Sequence, residues 1–447
     1  ALIVGAGPVG LLTAIELAQR GVKVMIIDRW AQQDIKTKAI GMAKGSLQIL
    51  PRKIAEQIEK EACKPKGMRV SEVRGTEVTT IIEVQGTDVP MKNEYLPVYC
   101  IEQWKYERMM ERHLKEDFGI EIQRSVILKD FVQDATGVDC ALSFLSASAN
   151  SKQTGWSAAT GDLNPVGTDK NDLEQHTTRN LRFAFVVGCD GGSSTVRKKL
   201  GFGFAGDVAK ESFISAHAVF ENQHGSPAWG DIHFGQNVAG GSPLVAGMCV
   251  SLPLDGGEHL LNLDLDEEQQ KQYLLDEVDS HGLHKLKELS MDDVLDIFRA
   301  RSGSQHCTVR PGSVKWIAHY RVNSRLAEHF GRGRVYLAGD ACHCHSPVGG
   351  QGMNMGLQDA KNLAWKLAAV LQKKAAMSLL HTYERERRGI DATITKAVEA
   401  GTSAFSNRNP LVFFLRGRGQ RVVGATVTMM PDAFKTLRGW AYADSPL

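Results

Sequence analysis

Short apolar runs that stop abruptly at glycine or aspartate recur along this chain. Ala1-Leu2-Ile3-Val4 reads as a buried strand and runs straight into Gly5-Ala6-Gly7-Pro8-Val9-Gly10. Apolar positions at helical spacing then continue to Gln19-Arg20-Gly21, and a second strand, Lys23-Val24-Met25-Ile26-Ile27, ends in Asp28. Continuous apolar runs of this length fit strands covered on both faces. Near the other end, Arg334-Val335-Tyr336-Leu337-Ala338 reads as another buried strand, and Leu357 to Gln372 as a helix. Between them, Trp104 to Lys115 has a helical period. Glu77-Val78-Thr79-Thr80-Ile81-Ile82-Glu83-Val84 alternates with period two, the mark of antiparallel strands with one wet face.

These patterns predict an α/β fold: a Rossmann-like dinucleotide-binding domain combined with a second, mixed-sheet (α+β) domain. The expected divisions are 1–70 for the first part of the binding domain and 71–100 for strands of the second. Residues 101–201 return to the binding domain, with a loop insertion at 146–179. The second domain occupies 202–322, 323–400 complete the binding domain, and 401–447 form a C-terminal helical region. The insertion is rich in Ser, Thr, Asn, Gly and Asp and lacks an apolar period, which suits a solvated surface loop. Pro410-Leu411-Val412-Phe413-Phe414-Leu415 is too short to span a membrane and reads as core or dimer packing.

The chemistry sits where strands end. Gly5, Gly7 and Gly10 form G-x-G-x-x-G between a strand and a helix, and Asp28 follows 18 residues after the third glycine. The glycines permit a tight turn and close approach of a pyrophosphate, while the acid takes ribose hydroxyls. In Gly339-Asp340-Ala341-Cys342-His343-Cys344-His345-Ser346-Pro347-Val348-Gly349-Gly350-Gln351-Gly352-Met353-Asn354, an acid at a strand end precedes a Gly-rich turn and a helix start. The acid can accept from a polyol hydroxyl, and the helix start offers unpaired N–H groups to an electron-rich group.

With a third element, Val186-Val187-Gly188-Cys189-Asp190-Gly191-Gly192-Ser193-Ser194-Thr195-Val196-Arg197, these segments resemble the FAD-dependent aromatic hydroxylases, the single-component flavoprotein monooxygenases of the para-hydroxybenzoate hydroxylase and phenol hydroxylase family. The resemblance covers nearly the whole chain, most specifically at the three motifs. It implies FAD as cofactor, NADPH or NADH as co-substrate, and molecular oxygen and a phenolic small molecule as partners. The implied reaction is ring hydroxylation through a flavin C4a-hydroperoxide. It assigns Gly5, Gly7, Pro8, Val9 and Gly10 to the pyrophosphate, Asp28 to the adenosine ribose and Asp340 to the ribityl chain. Gly350, Gln351, Gly352, Met353 and Asn354 would cradle the flavin pyrimidine. Asp190 and Gly191 would lie near the pyrophosphate, Gln103 at the flavin side chain, and the Pro347 carbonyl would face the substrate. Two departures stand out. Lys38, before Ala39, replaces the family's arginine and lacks its bidentate fork. Ile40 stands nearest to where the phenol-hydroxylase branch carries an acid, so the base that ionises the substrate is left unassigned.

Composition narrows the alternatives. A net charge of +2 gives no reason to expect a nucleic-acid partner, and no run of 18 apolar residues marks a membrane span. Eight scattered cysteines suggest a reducing, cytoplasmic setting, and a homodimer is the simplest assembly. The visible start lies inside a strand, and the final Tyr442-Ala443-Asp444-Ser445-Pro446-Leu447 is similar to a segment that in several relatives leads into a thioredoxin-like domain. Cys342-His343-Cys344-His345 is too tightly spaced to close a metal tetrahedron, so no metal is expected. Asp190 has a plainer reading as a helix cap. No second G-x-G-x-x-G follows a strand, which disfavours a separate nicotinamide domain. The alternatives left are epoxidation, decarboxylative hydroxylation or Baeyer–Villiger oxidation on the same scaffold, or a flavin dehydrogenase without oxygen transfer.

Overall fold

The structure, a computed structural model, describes residues 1–34, 39–85, 98–145, 177–222, 229–236, 247–278, 284–287, 289–346 and 350–406. Leu2–Val4 lies at the centre of a six-stranded sheet, parallel to Met25–Asp28 on one side and to Val186–Gly188 on the other. Val335–Leu337 pairs in parallel with Val186–Gly188, so the strands that end in the three motifs lie side by side. Each of these strands is short and almost wholly buried, as parallel strands covered on both faces must be. The helix Pro8–Ala18 packs against Gly352–Leu371 and against Gln103–Phe118. Pro8 starts the first of these, where its missing N–H has no intrahelical acceptor to lose.

An eight-stranded sheet forms the second layer, in the order His343–Cys344, Trp316–Ala327, Phe204–Ala218, His259–Leu265, Gly247–Pro253, Gly230–Gln236, Gly67–Arg74 and Glu77–Gln85. Its register sorts the side chains. Ile214, Ala216, Leu261 and Leu263 point to one face, which the helix Met291–Ser302 covers with Val294, Leu295, Ile297 and Phe298. Phe213, Ser215 and His217 alternate to the other face, beside Asn262, Leu260 and Val250. On this second face Leu260 and Trp316 pack against Ile40 and Cys100, at the small two-stranded sheet Gly41–Ala43/Val98–Cys100 that Asn354 ties to the helix Gly352–Leu371. The rest of that face continues across the neighbouring strands. Its floor is Phe213, Phe234 and Met248, flanked by Val70, Ile232 and Val250.

Several expected boundaries move. Thr177–Phe183 is a strand paired with Val138–Phe144, so 177–179 belong to a sheet and not to the insertion; 146–176 lie outside the described residues. The hairpin expected from residue 71 begins at Gly67. Val98–Cys100 pairs with Gly41–Ala43 instead of joining the eight-stranded sheet. Trp316–Ala327 runs past the expected division at 322, because its last residues pair with Phe204–Val208. The C-terminal helix is His381–Ser406, and the Pro410–Leu415 run lies outside the described residues. Among the described residues no helix is long and apolar enough to cross a membrane.

Candidate functional site

Each glycine of the first loop has its own task. A Cβ on Gly5, whose φ is +101°, would sit 2.3 Å from the Cys189 carbonyl oxygen; one on Gly10 would sit 1.9 Å from the Gly5 oxygen. Those two positions let the turn pack against the Asp190 element and against itself. At Gly7 a Cβ would meet nothing within 4 Å, so this position keeps space open in front of the helix N-terminus. Asp28 turns back over the loop: its carboxylate accepts from the Ala6 N–H at 2.7 Å and from the Trp30 N–H at 2.8 Å. An acid held this way retains lone pairs for two ribose hydroxyls.

The third motif meets the first through Val9. Its side chain occupies the space where a Cβ on Gly339 (2.8 Å) or on Gly356 (2.6 Å) would otherwise project. Gly339 lies just beyond the buried strand Val335–Leu337, and Asp340 follows it with its side chain exposed. Gly350 (φ +62°) has open space where a side chain would stand. Asn354 fixes the cradle: Nδ2 donates to the Gly350 carbonyl at 2.7 Å and the Gly41 carbonyl at 3.1 Å, while Oδ1 accepts from the Ala43 N–H at 3.0 Å. Its amide is thereby committed to holding the loop, which leaves the backbone of Gln351, Gly352 and Met353 at the helix start to face a ligand. Met353 is in turn held by the Tyr106 hydroxyl. Gln103 heads its helix, half-buried, with Nε2 donating to Glu107 at 2.7 Å; Ala39 is half-buried beside Ile40. Lys38 and Pro347 lie outside the described residues.

Asp190 is where the plainer reading gains ground. Its carboxylate accepts from the Ser194 hydroxyl at 2.5 Å and from the N–H groups of Thr195 (2.7 Å) and Val196 (3.1 Å), so it caps the helix Thr195–Leu200. Gly191, at φ +80°, faces open space. Arg197 from this helix donates to the Gly192 carbonyl at 2.7 Å and crosses to the Ala341 carbonyl at 2.9 Å, stacked over Phe204. The element therefore braces the first loop against the Asp340 turn.

Beneath that turn lies a set of charges that sequence reading missed. Asp359 accepts from the Gly339 N–H at 3.1 Å, from His343 Nε2 at 2.7 Å and from Arg387 Nε at 2.6 Å; Arg387 also donates to Asp391 at 3.0 Å. All four side chains are fully buried. Burial alone would lower the His343 pKa, but Asp391 and Asp359 outweigh it and raise it to about 9. Burial raises Asp391 to about 7 despite Arg387, whereas Arg387 and His343 overcome the same burial effect and lower Asp359. The Cys-His-Cys-His run is thus dispersed: His343 turns inward to this cluster, while the His345 ring lies 3.7 Å from where a Gly352 Cβ would stand. Burial keeps His345 below its usual pKa. The signal for the cluster was the i, i+4 spacing of Arg387 and Asp391, and its pairing with Asp359 on another helix was unreadable until the helices were placed.

The open space at Gly7 and Gly350, the two strand-end acids and the N–H groups of two helix starts together fit an adenine dinucleotide with a flavin head. The comparisons with known proteins agree. An FAD binding domain profile matches residues 1–154 and 145–398. A flavin-dependent monooxygenase from Mycobacteroides abscessus is 30% identical over 401 residues, covering 88% of this chain and 72% of the relative. A 12-dehydrotetracycline 5-monooxygenase/anhydrotetracycline 6-monooxygenase from Streptomyces rimosus is 28% identical, covering 89% of this chain and 68% of the relative. Among solved structures, an anhydrotetracycline hydroxylase from Streptomyces rimosus superposes with a TM-score of 0.68 at 26% identity, covering 98% of this chain and 74% of that one. This chain belongs to the FAD-dependent aromatic monooxygenases, with FAD as its cofactor.

Proposed function

We propose that this chain hydroxylates a phenolic, ring-fused aromatic substrate, drawing electrons from NADPH or NADH and oxygen from O2. The observation that carries the reading is the apolar sheet face of Phe213, Phe234, Met248, Ile232 and Val250, on the side of the sheet where Leu260 and Trp316 meet Ile40 and Cys100. A face so apolar suits a planar hydrophobic ring and keeps water from the reacting atoms. The relatives named for anhydrotetracycline support a polycyclic substrate.

On this reading the chain is two domains, with the eight-stranded sheet and its helix Met291–Ser302 as the substrate domain. FAD, when bound, supplies the reductive activation of oxygen. The residues of the chain do the rest. Gly7 and the helix start at Pro8 receive the pyrophosphate, Asp28 the adenosine ribose, and Asp340 the ribityl hydroxyls. Backbone N–H groups at Gln351–Met353 stabilise negative charge on the pyrimidine edge. Lys38 would add charge near the pyrophosphate, and the Pro347 carbonyl would face the substrate. Eight free thiols among the described residues fit a reducing compartment.

The test is a screen of simple and fused phenols for stimulated NAD(P)H oxidation, with mass analysis for a gain of one oxygen. Stopped-flow reduction of the flavin with and without the best substrate should show faster reduction with it. Equal rates, or a strict requirement for a separate reductase, would sink the single-component reading.

A further inference from the structure

A hydroxylase acting on phenols must remove the phenolic proton, and Ile40 cannot do it. The structure offers another group, on the sheet face that Ile40 and Cys100 pack against. His217 shares that face with Ser215 and is only 2% exposed. Its Nε2 lies 2.7 Å from Glu258 Oε2, and its ring meets Trp316 edge-on at 5.9 Å. Glu102, buried at the start of the Gln103–Phe118 helix, approaches from the opposite layer, so that one ligand atom from each of Glu102, His217 and Glu258 lies within 4.8 Å of the others. The charged groups around the ring are these two carboxylates and their partners: Lys105 on Glu102, and Lys315 on Glu258 at 3.3 Å. Asp255 and Cys63 stand nearby, where Asp255 helps raise the thiol pKa after burial has done so. Each carboxylate therefore already has a lysine partner.

Burial falls off along the trio in one direction. His217 is enclosed, whereas the Glu258 side chain is 21% exposed. The Ser215–Asn262 pair, bonded at 2.5 Å, sits one row deeper on the same face, roughly 6.6 Å along the strand. Ser215 and Asn262 thus set a hydroxyl and an amide one row from the imidazole on the same face, and the imidazole is one hydrogen bond from a carboxylate that reaches solvent.

We propose that His217 is the base that ionises the bound phenol and passes its proton to Glu258, with Glu102 stabilising the imidazolium from across the seam. This rests on the phenol-hydroxylating reading above. The phenolic O–H bond breaks and an N–H bond forms at Nδ1. The Nε2 proton moves to Glu258 and on to water, and no electrons change hands. With Nε2–H donating to Glu258, Nδ1 is free to accept, which is the tautomer a relay requires.

A seam that merely latches two layers together would weaken the fold when cut, but would not care how acidic the substrate is. That difference is the test. Holoenzyme carrying His217→Gln, and separately Glu258→Gln, is compared with wild type on a simple phenol and on a nitro- or polyhalophenol already ionised at neutral pH. We expect His217→Gln to slow turnover of the simple phenol by about a hundredfold at pH 7 and to restore it as pH rises toward the phenol's own pKa, with the acidic phenol turned over at near wild-type rate. Ultraviolet difference spectra should show phenolate on binding to wild type at pH 7 and neutral phenol on binding to His217→Gln. Glu258→Gln, at a partly exposed site, should give a smaller loss of the same pattern and serves if the first variant does not fold. Equal losses on both substrates, or no loss on either, overturn the relay. A wild-type enzyme that hydroxylates phenols without ionising them on binding overturns it while leaving the hydroxylase reading intact. Absence of phenol-stimulated NAD(P)H oxidation in wild type overturns both.

Discussion

The buried charges beneath Asp340 make a pH prediction that can be worked from the structure. His343 has a folded pKa of about 9 against an ordinary value of 6.5, because Asp391 and Asp359 outweigh the cost of its burial. A histidine whose folded pKa is raised contributes stability that is fully present below pH 6.5 and is lost as pH climbs through about 9. The gap corresponds to roughly 3 kcal/mol at 1.36 kcal/mol per tenfold in proton affinity. Asp391, raised to about 7, adds a decline of its own between about pH 4 and 7, so the two effects occupy separate windows. The perturbation is His343→Gln, which keeps a donor toward Asp359 without the charge. Urea unfolding of the holoprotein would be followed by flavin fluorescence at pH 6.5, 8 and 9.5. Wild type should lose roughly 3 kcal/mol across this range. The variant should start lower at pH 6.5 and stay nearly flat, so that the two converge at high pH. Parallel curves with a constant offset would refute the reasoning, since they would mean that His343 does not titrate in this window.

Further substitutions separate folding from cofactor binding. Gly10→Ala, whose Cβ would sit 1.9 Å from the Gly5 oxygen, should cost about 3 kcal/mol or more in the apoprotein, read as a lower melting temperature. Gly7→Ala, with nothing within 4 Å, should leave the apoprotein melting temperature unchanged and weaken FAD binding in a titration; the opposite order would show that the roles are exchanged. Asp340→Ala should raise the FAD dissociation constant by roughly 10- to 150-fold, as expected for losing a charged hydrogen bond of about 1.5–3 kcal/mol, and an unchanged value would give the acid another job. Arg301→Met strands Asp264, both side chains being fully buried, and should cost about 3–5 kcal/mol in denaturant unfolding. A loss under 1 kcal/mol would mean that Asp264 is content with the Met248 N–H, which it already accepts at 2.6 Å.

The cofactor half of the molecule was readable because its chemistry is local. Gly5, Gly7, Gly10 and Asp28 lie within one strand–loop–helix–strand unit, and Asp340 and Gly350 within another, so spacing along the chain stands in for spacing in space. Asp190 shows the limit of that legibility. Its motif lies beside the first loop, yet its carboxylate accepts from the first N–H groups of Thr195–Leu200, and the bridge to the Asp340 turn is made by Arg197. Boundaries failed where pairing partners lie far apart in sequence. Val98–Cys100 reads like the hairpin before it and instead pairs with Gly41–Ala43, more than 50 residues away.

The substrate half resists reading for a different physical reason. Its polar groups act only in combination across strands, as Ser215 does with Asn262 and His217 with Glu258. Nothing in the run Phe213-Ile214-Ser215-Ala216-His217 distinguishes a lining residue from a core residue, because a period of two assigns faces without saying what covers each one. The helix Met291–Ser302 settles that by taking the Ile214 side, and it thereby turns His217 inward toward Glu102. The base proposed for His217 is therefore invisible to motifs: it depends on Glu258, from the turn between Gly247–Pro253 and His259–Leu265, meeting Glu102 from the start of Gln103–Phe118.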